Sequence, residues 1–367
     1  MFGTKTRAVV VALVALLALA LAPGATAARD GGLRAVFALT NDPAGNAVVV
    51  YARGGDGSLE PAGAYPTGGA GTGAGLGSQG AVIVSDDARF LFAVNAGSNS
   101  ISSFRIGGSG LELVDVAPSG GTAPTSVAYH DGLLYVLNTG APNNVSGLTV
   151  SRRGKLTPLA GSTRPLSADS TAPAQVGFSA DGDVVIVSER ATNRLVSYTV
   201  GRKGLLSAPI VHASAGPTPF GFAVTKRDTL LVSEAGAGGG ASSYRIGRDG
   251  ALDPASSNVM TGQRAACWAV ATKNGRFGYV TNAGTGTISG FAVAKDGEAT
   301  LLDADGVTAA TGGNPTDAAL SGNSRFLYVR VAALSQIAIF RIASDGSLQA
   351  LPALTGTQAG LAGLAAT

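Results

Sequence analysis

The sequence predicts an all-β fold, a seven-bladed β-propeller with four-stranded antiparallel blades, from three observations. A strand–turn–strand segment such as ISSFRIGGSGL at residues 101–111 recurs seven times, each time with a glycine at its turn. Successive turn glycines lie 53, 44, 50, 46, 47 and 49 residues apart, which is the spacing of propeller blades. The chain holds 54 glycines in 367 residues with 13% charged residues, a composition that suits short strands joined by tight turns. The seven turn glycines are Gly57, Gly110, Gly154, Gly204, Gly250, Gly297 and Gly346.

Each repeat divides into four strands, labelled a to d from the propeller axis outward. The predicted b strands are apolar on both faces, as expected for strands packed between neighbouring blades. A predicted strand a precedes each b strand from the second repeat onward, beginning at residues 81, 126, 174, 220, 267 and 316. The b strands end at Asn41, Asn95, Asn138, Glu189, Glu234, Asn282 and Val331.

The two ends of the repeat array predict how the ring closes. The first repeat has no strand a, because the chain enters at Leu33 directly into strand b. Residues 360–367, GLAGLAAT, have the length of a strand a and no strand b after them. A C-terminal strand that joins the first blade would leave no open sheet edge.

The N-terminus has the pattern of a secretory signal peptide over residues 1–27. Lys5 and Arg7 precede an apolar run from Ala8 to Ala22, and small residues end at Ala27. A membrane anchor is the alternative, but the run is shorter than the roughly 20 residues of a membrane span. We therefore expect a secreted protein, cleaved near Ala27, with one propeller domain over residues 28–367.

Charge and residue counts exclude several partner classes. The full chain carries +3, and removal of the signal leaves 24 basic residues against 23 acidic ones, a net charge of +1. No basic stripe or aromatic platform indicates nucleic-acid binding. The only histidines, His130 and His212, cannot form a histidine-rich metal site, and the single cysteine, Cys267, is expected to be a buried, inert thiol. We expect a monomer without cofactor, metal or membrane span.

Strand direction sorts the polar residues between the two faces of the ring. The start of strand a, the end of strand b and the loop from d to the next a share one face, and the a–b turns with His130 share the other. Glu189 and Glu234 occupy the same place in consecutive blades, where four other copies have asparagine. Two adjacent carboxylates can give an acid or base near neutral pH, and Arg264 could stabilise an oxyanion. Ordinary strand-end hydrogen bonds are the alternative.

The remaining candidates on this face would bind a small lactone or carboxylate. They are Gln79, Asn95, Asn138, Gln175, Arg190, Arg194 and Asn282. Residues 75–80 match G-x-G-x-x-G but lead into a strand, whereas a nucleotide site needs a helix there. We interpret residues 67–80 as a flexible glycine-rich loop, a candidate lid.

Residues 279–282 read YVTN, and residues 135–138 read YVLN. With the GTISGFAVAKDG segment that begins at Gly286, the chain resembles the seven-bladed propeller lactonase family, which includes propeller-type 6-phosphogluconolactonases and fungal carboxy-muconate cyclases. The resemblance implies metal-independent lactone opening or closing at the channel mouth. Phosphogluconolactonase-type members tend to carry His-Pro-His segments where this chain has APAQ at 172–175 and TPFG at 218–221, so no catalytic histidine is assigned. A non-catalytic propeller that binds a wall polymer, glycan or protein is the second hypothesis.

Overall fold

The computed structural model describes residues 32–367, which form seven antiparallel sheets arranged as the blades of a propeller. The predicted fold class is confirmed. Residues 1–31 lie outside the described residues, so the signal peptide stays a prediction. Two short 3-10 turns, Arg202–Gly204 and Ala332–Leu334, are the helical elements of the described chain, and none of its helices is long and apolar enough to cross a membrane.

The strands of each blade follow in the order a, b, c, d. Blade 1 comprises Ala362–Ala366, Ala35–Leu39, Ala47–Arg53 and Leu59–Pro66. Blade 2 comprises Val82–Val84, Phe90–Asn95, Ser100–Gly107 and Gly110–Pro118. Blade 3 comprises Pro124–His130, Leu133–Asn138, Asn144–Val150 and a divided outer strand, Leu156–Pro158 with Arg164–Pro165. Blade 4 comprises Pro173–Phe178, Val184–Glu189, Arg194–Thr199 and Ile210–Ala213.

The last three blades repeat this plan. Blade 5 comprises Pro219–Val224, Thr229–Glu234, Gly240–Ile246 and Leu252–Met260. Blade 6 comprises Ala266–Ala271, Phe277–Asn282, Thr287–Val293 and a divided outer strand, Ala299–Leu301 with Ala309–Ala310. Blade 7 comprises Pro315–Leu320, Phe326–Val331, Gln336–Ile342 and Leu348–Thr355.

The ring closes as the sequence predicts. Ala362–Ala366 pairs antiparallel with Ala35–Leu39 and becomes the innermost strand of blade 1. The Thr367 side chain seals the junction, since its hydroxyl donates to Leu33 O and accepts from the amide of Ala35 at 2.9 Å. Strand b of blade 1 ends at Leu39, two residues before the predicted Asn41, because Asn41 takes a positive φ of 52° and leaves the sheet.

The turn glycines that reveal the repeat also join neighbouring blades. All seven have positive φ, and four of them pack on the first residue of strand b in the preceding blade, where a Cβ would overlap its side chain. These pairs are Gly57 on Phe326, Gly154 on Phe90, Gly204 on Leu133 and Gly346 on Phe277. Buried tyrosine hydroxyls donate to three of the same glycines, from Tyr135 to Gly204 O, Tyr279 to Gly346 O and Tyr328 to Gly57 O. The periodic glycines therefore serve the scaffold.

Candidate functional site

The propeller axis carries a cavity at each mouth. The near cavity, about 460 Å³, lies at the starts of the a strands and is lined by residues 73–78, Trp268, Thr316, Arg330 and residues 359–363, with Ala81 and Ala332. The far cavity, about 730 Å³, lies at the a–b turns of all seven blades and includes His130, as predicted for that face. No residue lines both cavities.

Three stacked side chains, of which one is charged, extend outward from the near cavity, beginning at its lining residue Trp268. The Arg190 guanidinium lies 5.2 Å from the centre of the Phe220 ring, and Phe220 meets Trp268 edge-on at 5.0 Å between ring centres. Arg190 Nε donates to Ala172 O at 3.0 Å, and its two Nη atoms have no protein acceptor within residues 32–367. They lie 3.7 and 3.8 Å from an ideal Cβ position on Gly77, so the guanidinium reaches the glycine-rich loop. Burial lowers the pKa of Arg190, and aromatic stacking helps to hold the desolvated cation.

A second arginine, Arg330, is itself a lining residue of the near cavity and is 9% exposed. Its Nη1 donates to the Thr316 hydroxyl and its Nη2 to Ala359 O at 2.7 Å. Its strand partner Asp317 is 2% exposed, and burial raises the pKa of that carboxyl to about 8 despite the nearby arginine. Arg330 thus ties blade 7 to the segment that leads into the closing strand.

Glu189 and Glu234 are both fully buried at equivalent strand ends, but each has its own set of partners. Glu189 accepts from the Ser167 amide at 2.9 Å, from the Ser167 hydroxyl and from the Thr192 hydroxyl at 2.6 Å. Glu234 accepts from the Ser214 hydroxyl at 3.0 Å. No hydrogen bond joins the two glutamates in the described chain, and neither lines the near or the far cavity.

Burial raises the pKa of Glu234 from 4.5 to about 7. The folded protein therefore holds a proton there between these pH values that the unfolded chain has released, so stability falls as pH rises from 4.5 to about 7 and levels off above. Glutamine has the shape of a neutral glutamic acid side chain. For Glu234→Gln we therefore expect the wild-type free energy of unfolding at pH 4.5 and a value about 3 kcal/mol higher at pH 8, measured by urea unfolding. We also expect any catalytic rate to stay within about threefold. An identical pH dependence in the variant would contradict the raised pKa of Glu234. A 100-fold loss of rate without loss of stability would contradict a purely structural role for this residue.

The three asparagines at the same strand position also face their own blades. Asn95, Asn138 and Asn282 are fully buried. Each donates its side-chain amide to serine in the neighbouring strand c, namely Ser102 at 2.8 Å, Ser146 at 3.0 Å and Ser289 at 2.8 Å. This strand-end position therefore joins strand b to strand c.

The other predicted residues are distributed over the face. Arg264 is exposed and donates from Nη2 to Gly284 O at 3.1 Å, and Arg194 is exposed opposite Glu189 in strand c. Gln79 and Gln175 reach inner strands of neighbouring or opposite blades, Gln79 at Ala269 and Gln175 at Phe222. The structure thus places Arg190 against Gly77, in the loop that lines the near cavity, whereas the glutamates and asparagines are buried at the strand ends. In the described chain, no group of three His, Cys, Asp or Glu is placed to hold a metal ion.

Sequence reasoning did not identify Arg330 or Trp268 as site residues. A positional signal exists for Arg330, because the residue before the strand-b end is uncharged in the other copies from blade 2 onward: Val94, Leu137, Ser188, Ser233 and Thr281. Arg190 is a similar departure, since the residue after the strand-b end is alanine or threonine in the corresponding blades: Ala96, Thr139, Ala235, Ala283 and Ala332. The predicted inert thiol, Cys267, lies beside Arg190, and burial raises its pKa to about 12.

The family model of the seven-bladed β-propeller lactonases matches residues 44–164, 143–267 and 233–362, which together span almost the whole described chain. The chain belongs to this lactonase family. No protein of curated function matches the sequence. Among solved structures, this lactonase-family propeller is similar to the periplasmic gluconolactonase PpgL of Pseudomonas aeruginosa, with a TM-score of 0.73 and 19% identity over 90% of this chain and 98% of that one.

Two further structures show how widely the fold is shared. A protein from Lactobacillus plantarum matches with a TM-score of 0.69 and 19% identity, covering 91% of this chain and 99% of that one. The Cps50 (Swd1) β-propeller domain of Myceliophteria thermophila matches with a TM-score of 0.54 and 12% identity, covering 75% and 86%. At these identities the structural likeness establishes the fold of this family member and leaves its activity to the site.

Proposed function

We propose that this protein hydrolyses a lactone in the near cavity, where Arg190 binds the oxygen that becomes negatively charged. Family membership supports the reaction class, and the open Nη donors of the half-buried Arg190 are the observation that carries the site. A guanidinium in a partly desolvated site is a strong, fixed donor for an oxyanion.

The reaction needs one addition and one bond cleavage. Water adds to the lactone carbonyl carbon, and negative charge develops on the carbonyl oxygen, which Arg190 stabilises. The ring C–O bond then breaks, the ring oxygen takes up the proton that the attacking water gives up, and the product is a hydroxy acid. A lactone is an activated ester, so oxyanion stabilisation supplies much of the required rate enhancement. Trp268 and the glycine-rich loop supply an apolar wall that limits water around the substrate.

Arg190→Gln tests the proposal with gluconolactone and a panel of γ- and δ-lactones. We expect kcat/KM to fall about 100-fold, because a neutral amide stabilises the oxyanion far less. Arg276→Gln is the matched control: Arg276 also lies 5.2 Å over a phenylalanine ring, that of Phe277, but at the far face. We expect its rate to stay within about threefold. Equal losses in both variants would remove Arg190 from the site, and a wild-type protein inactive on every lactone would favour the non-catalytic binding role.

We also propose that the protein is exported. The charged start, apolar run and small residues of positions 1–27 support export, as does the periplasmic location of the similar gluconolactonase. A mature N-terminus at position 28, read by mass spectrometry of protein from outside the cytoplasm, is the expected result, and an intact Met1 would contradict it.

A further inference from the structure

Two residues at the end of the glycine-rich loop, Ser78 and Gln79, cross the propeller axis. The loop leaves blade 1 at Pro66 and enters blade 2 at Val82. Gln79 Nε2 donates to Ala269 O at 2.7 Å, and Gln79 Oε1 accepts from the Ala269 amide at 2.9 Å. Blade 6, which holds Ala269, lies across the ring from blade 2. One glutamine side chain therefore spans the channel and pairs with both backbone groups of a residue on the far side.

The backbone around Gln79 is held by other blades. The Gln79 amide donates to Ala174 O of blade 4 at 3.0 Å. The Ser78 hydroxyl donates to Thr125 O of blade 3 at 2.8 Å, and Ser78 O accepts from the Trp268 indole of blade 6 at 2.9 Å. The dipeptide thus contacts blades 3, 4 and 6, although it belongs to the connection between blades 1 and 2.

Gln79 occupies the level between the two cavities. Ser78 lines the near cavity, Gln175 lines the far cavity, and Gln79 lines neither. Gln175 lies beside it and pairs with Phe222, donating to its carbonyl at 3.0 Å and accepting from its amide at 2.6 Å. The two side-chain amides fill the channel at this level, and each is hydrogen-bonded to a backbone amide and a backbone carbonyl. Without them, the inner strands alone would leave the channel open here.

We infer that Gln79 is a positioning residue for the proposed reaction: its side chain fixes the glycine-rich loop over Trp268 and separates the near cavity from the far one. The expected effect of Gln79 on catalysis rests on the proposed function. Its role in holding the loop and separating the cavities rests on the geometry alone. Loop residues 73–78 line the near cavity, and Gly77 lies beside Arg190. Substrate therefore enters, and product leaves, through the near mouth, and the loop anchored at Gln79 limits the depth of the site.

Trp268 is the only tryptophan of the chain, so its fluorescence reports directly on whether the glycine-rich loop is in place over it. It is 8% exposed and bonded to Ser78. We expect Gln79→Ala to raise the acrylamide quenching constant of the folded protein about twofold and to shift the emission to longer wavelength, because the loop loses its anchor and opens locally. Gln79→Met, which fills the same space without the amide, should give the same increase.

Gln175→Ala is the matched control, since it also removes a channel amide with two backbone hydrogen bonds but leaves the Ser78–Trp268 contact intact. We expect its quenching constant to equal that of the wild type. Unchanged quenching in the folded Gln79→Ala and Gln79→Met proteins, or an equal rise in Gln175→Ala, would overturn the inference.

The kinetic arm uses whichever lactone the wild type hydrolyses. For Gln79→Ala we expect KM to rise about tenfold while kcat changes less than about threefold, since the loop shapes binding and Arg190 remains in place. An unchanged KM, or a loss confined to kcat, would overturn the positioning role. If no lactone is hydrolysed, the proposed function fails, whereas the fluorescence result still decides whether Gln79 holds the loop in place over Trp268.

Discussion

Deletion of residues 358–367 should lower the free energy of unfolding by more than about 5 kcal/mol, because it removes two buried leucines that are each worth roughly 2–5 kcal/mol. Leu361 and Leu364 are 3% and 6% exposed. The deletion also leaves strand b of blade 1 without its inner partner and removes the Ala359 carbonyl that Arg330 binds. An opened ring exposes unpaired strand edges at its inner rim. Thermal and urea unfolding of the truncated and full-length chains measure the effect.

A peptide of residues 358–367 added to the truncated protein provides the control. We expect it to restore much of the lost stability in a concentration-dependent manner, because it binds only the folded ring. The same peptide with Leu361→Asp and Leu364→Asp should restore none. A truncated chain that melts at the full-length temperature would show that the closing strand contributes nothing to the ring.

Gly57→Ala should destabilise the fold by about 3 kcal/mol, through backbone strain and through overpacking at the junction of blades 7 and 1. Gly57 has φ of +97°, a conformation that an L residue adopts only at a cost. Its new Cβ would overlap three ring carbons of Phe326, which is 1% exposed. The same glycine carbonyl accepts from Tyr328 at 3.1 Å, so a shift of the turn also weakens that bond.

Gly55→Ala, in the same turn, is the control that separates backbone strain and overpacking at Gly57 from the general effect of replacing a turn glycine. An added Cβ at Gly55 has no neighbour within 4 Å, and its φ is not positive. We expect a change of less than about 0.5 kcal/mol, as for ordinary surface positions. Equal effects of the two substitutions in urea unfolding would show that chain entropy, and not the fit of Gly57 against Phe326, governs the turn.

The near cavity illustrates how far residue patterns lead towards a site. Strand counting places Glu189, Glu234 and Arg190 on one face of the ring. It does not give the direction of each side chain. Glu189 binds Ser167, in the connection between blades 3 and 4, whereas Arg190, one residue later, lies over Phe220. Glu189 is the last residue of its strand and Arg190 lies in the turn that follows, so a one-residue difference separates a buried carboxylate from a candidate ligand-binding guanidinium.

Bulges in the inner strands add a second obstacle. The pairing of strands a and b shifts between Pro173 and Gln175, between Ala266 and Trp268, and between Pro315 and Asp317. An extra residue on one strand reverses the alternation beyond it, so the residues that reach the axis cannot be counted from the strand start. Trp268 and Asp317 directly follow such bulges, which explains why periodicity did not assign them.

By itself the sequence determined the scaffold: the blade count, the register of the hairpins, the closing strand and the family. These features depend on local rules, since a glycine at positive φ marks a turn and an apolar run marks a strand wherever it occurs. Only the tertiary structure decided which polar groups meet at the axis. Gln79 reaches Ala269, 190 residues away, and Arg330 joins blade 7 to the end of the chain. Such contacts form because the ring returns distant segments to one axis, and no local pattern records which of them will meet.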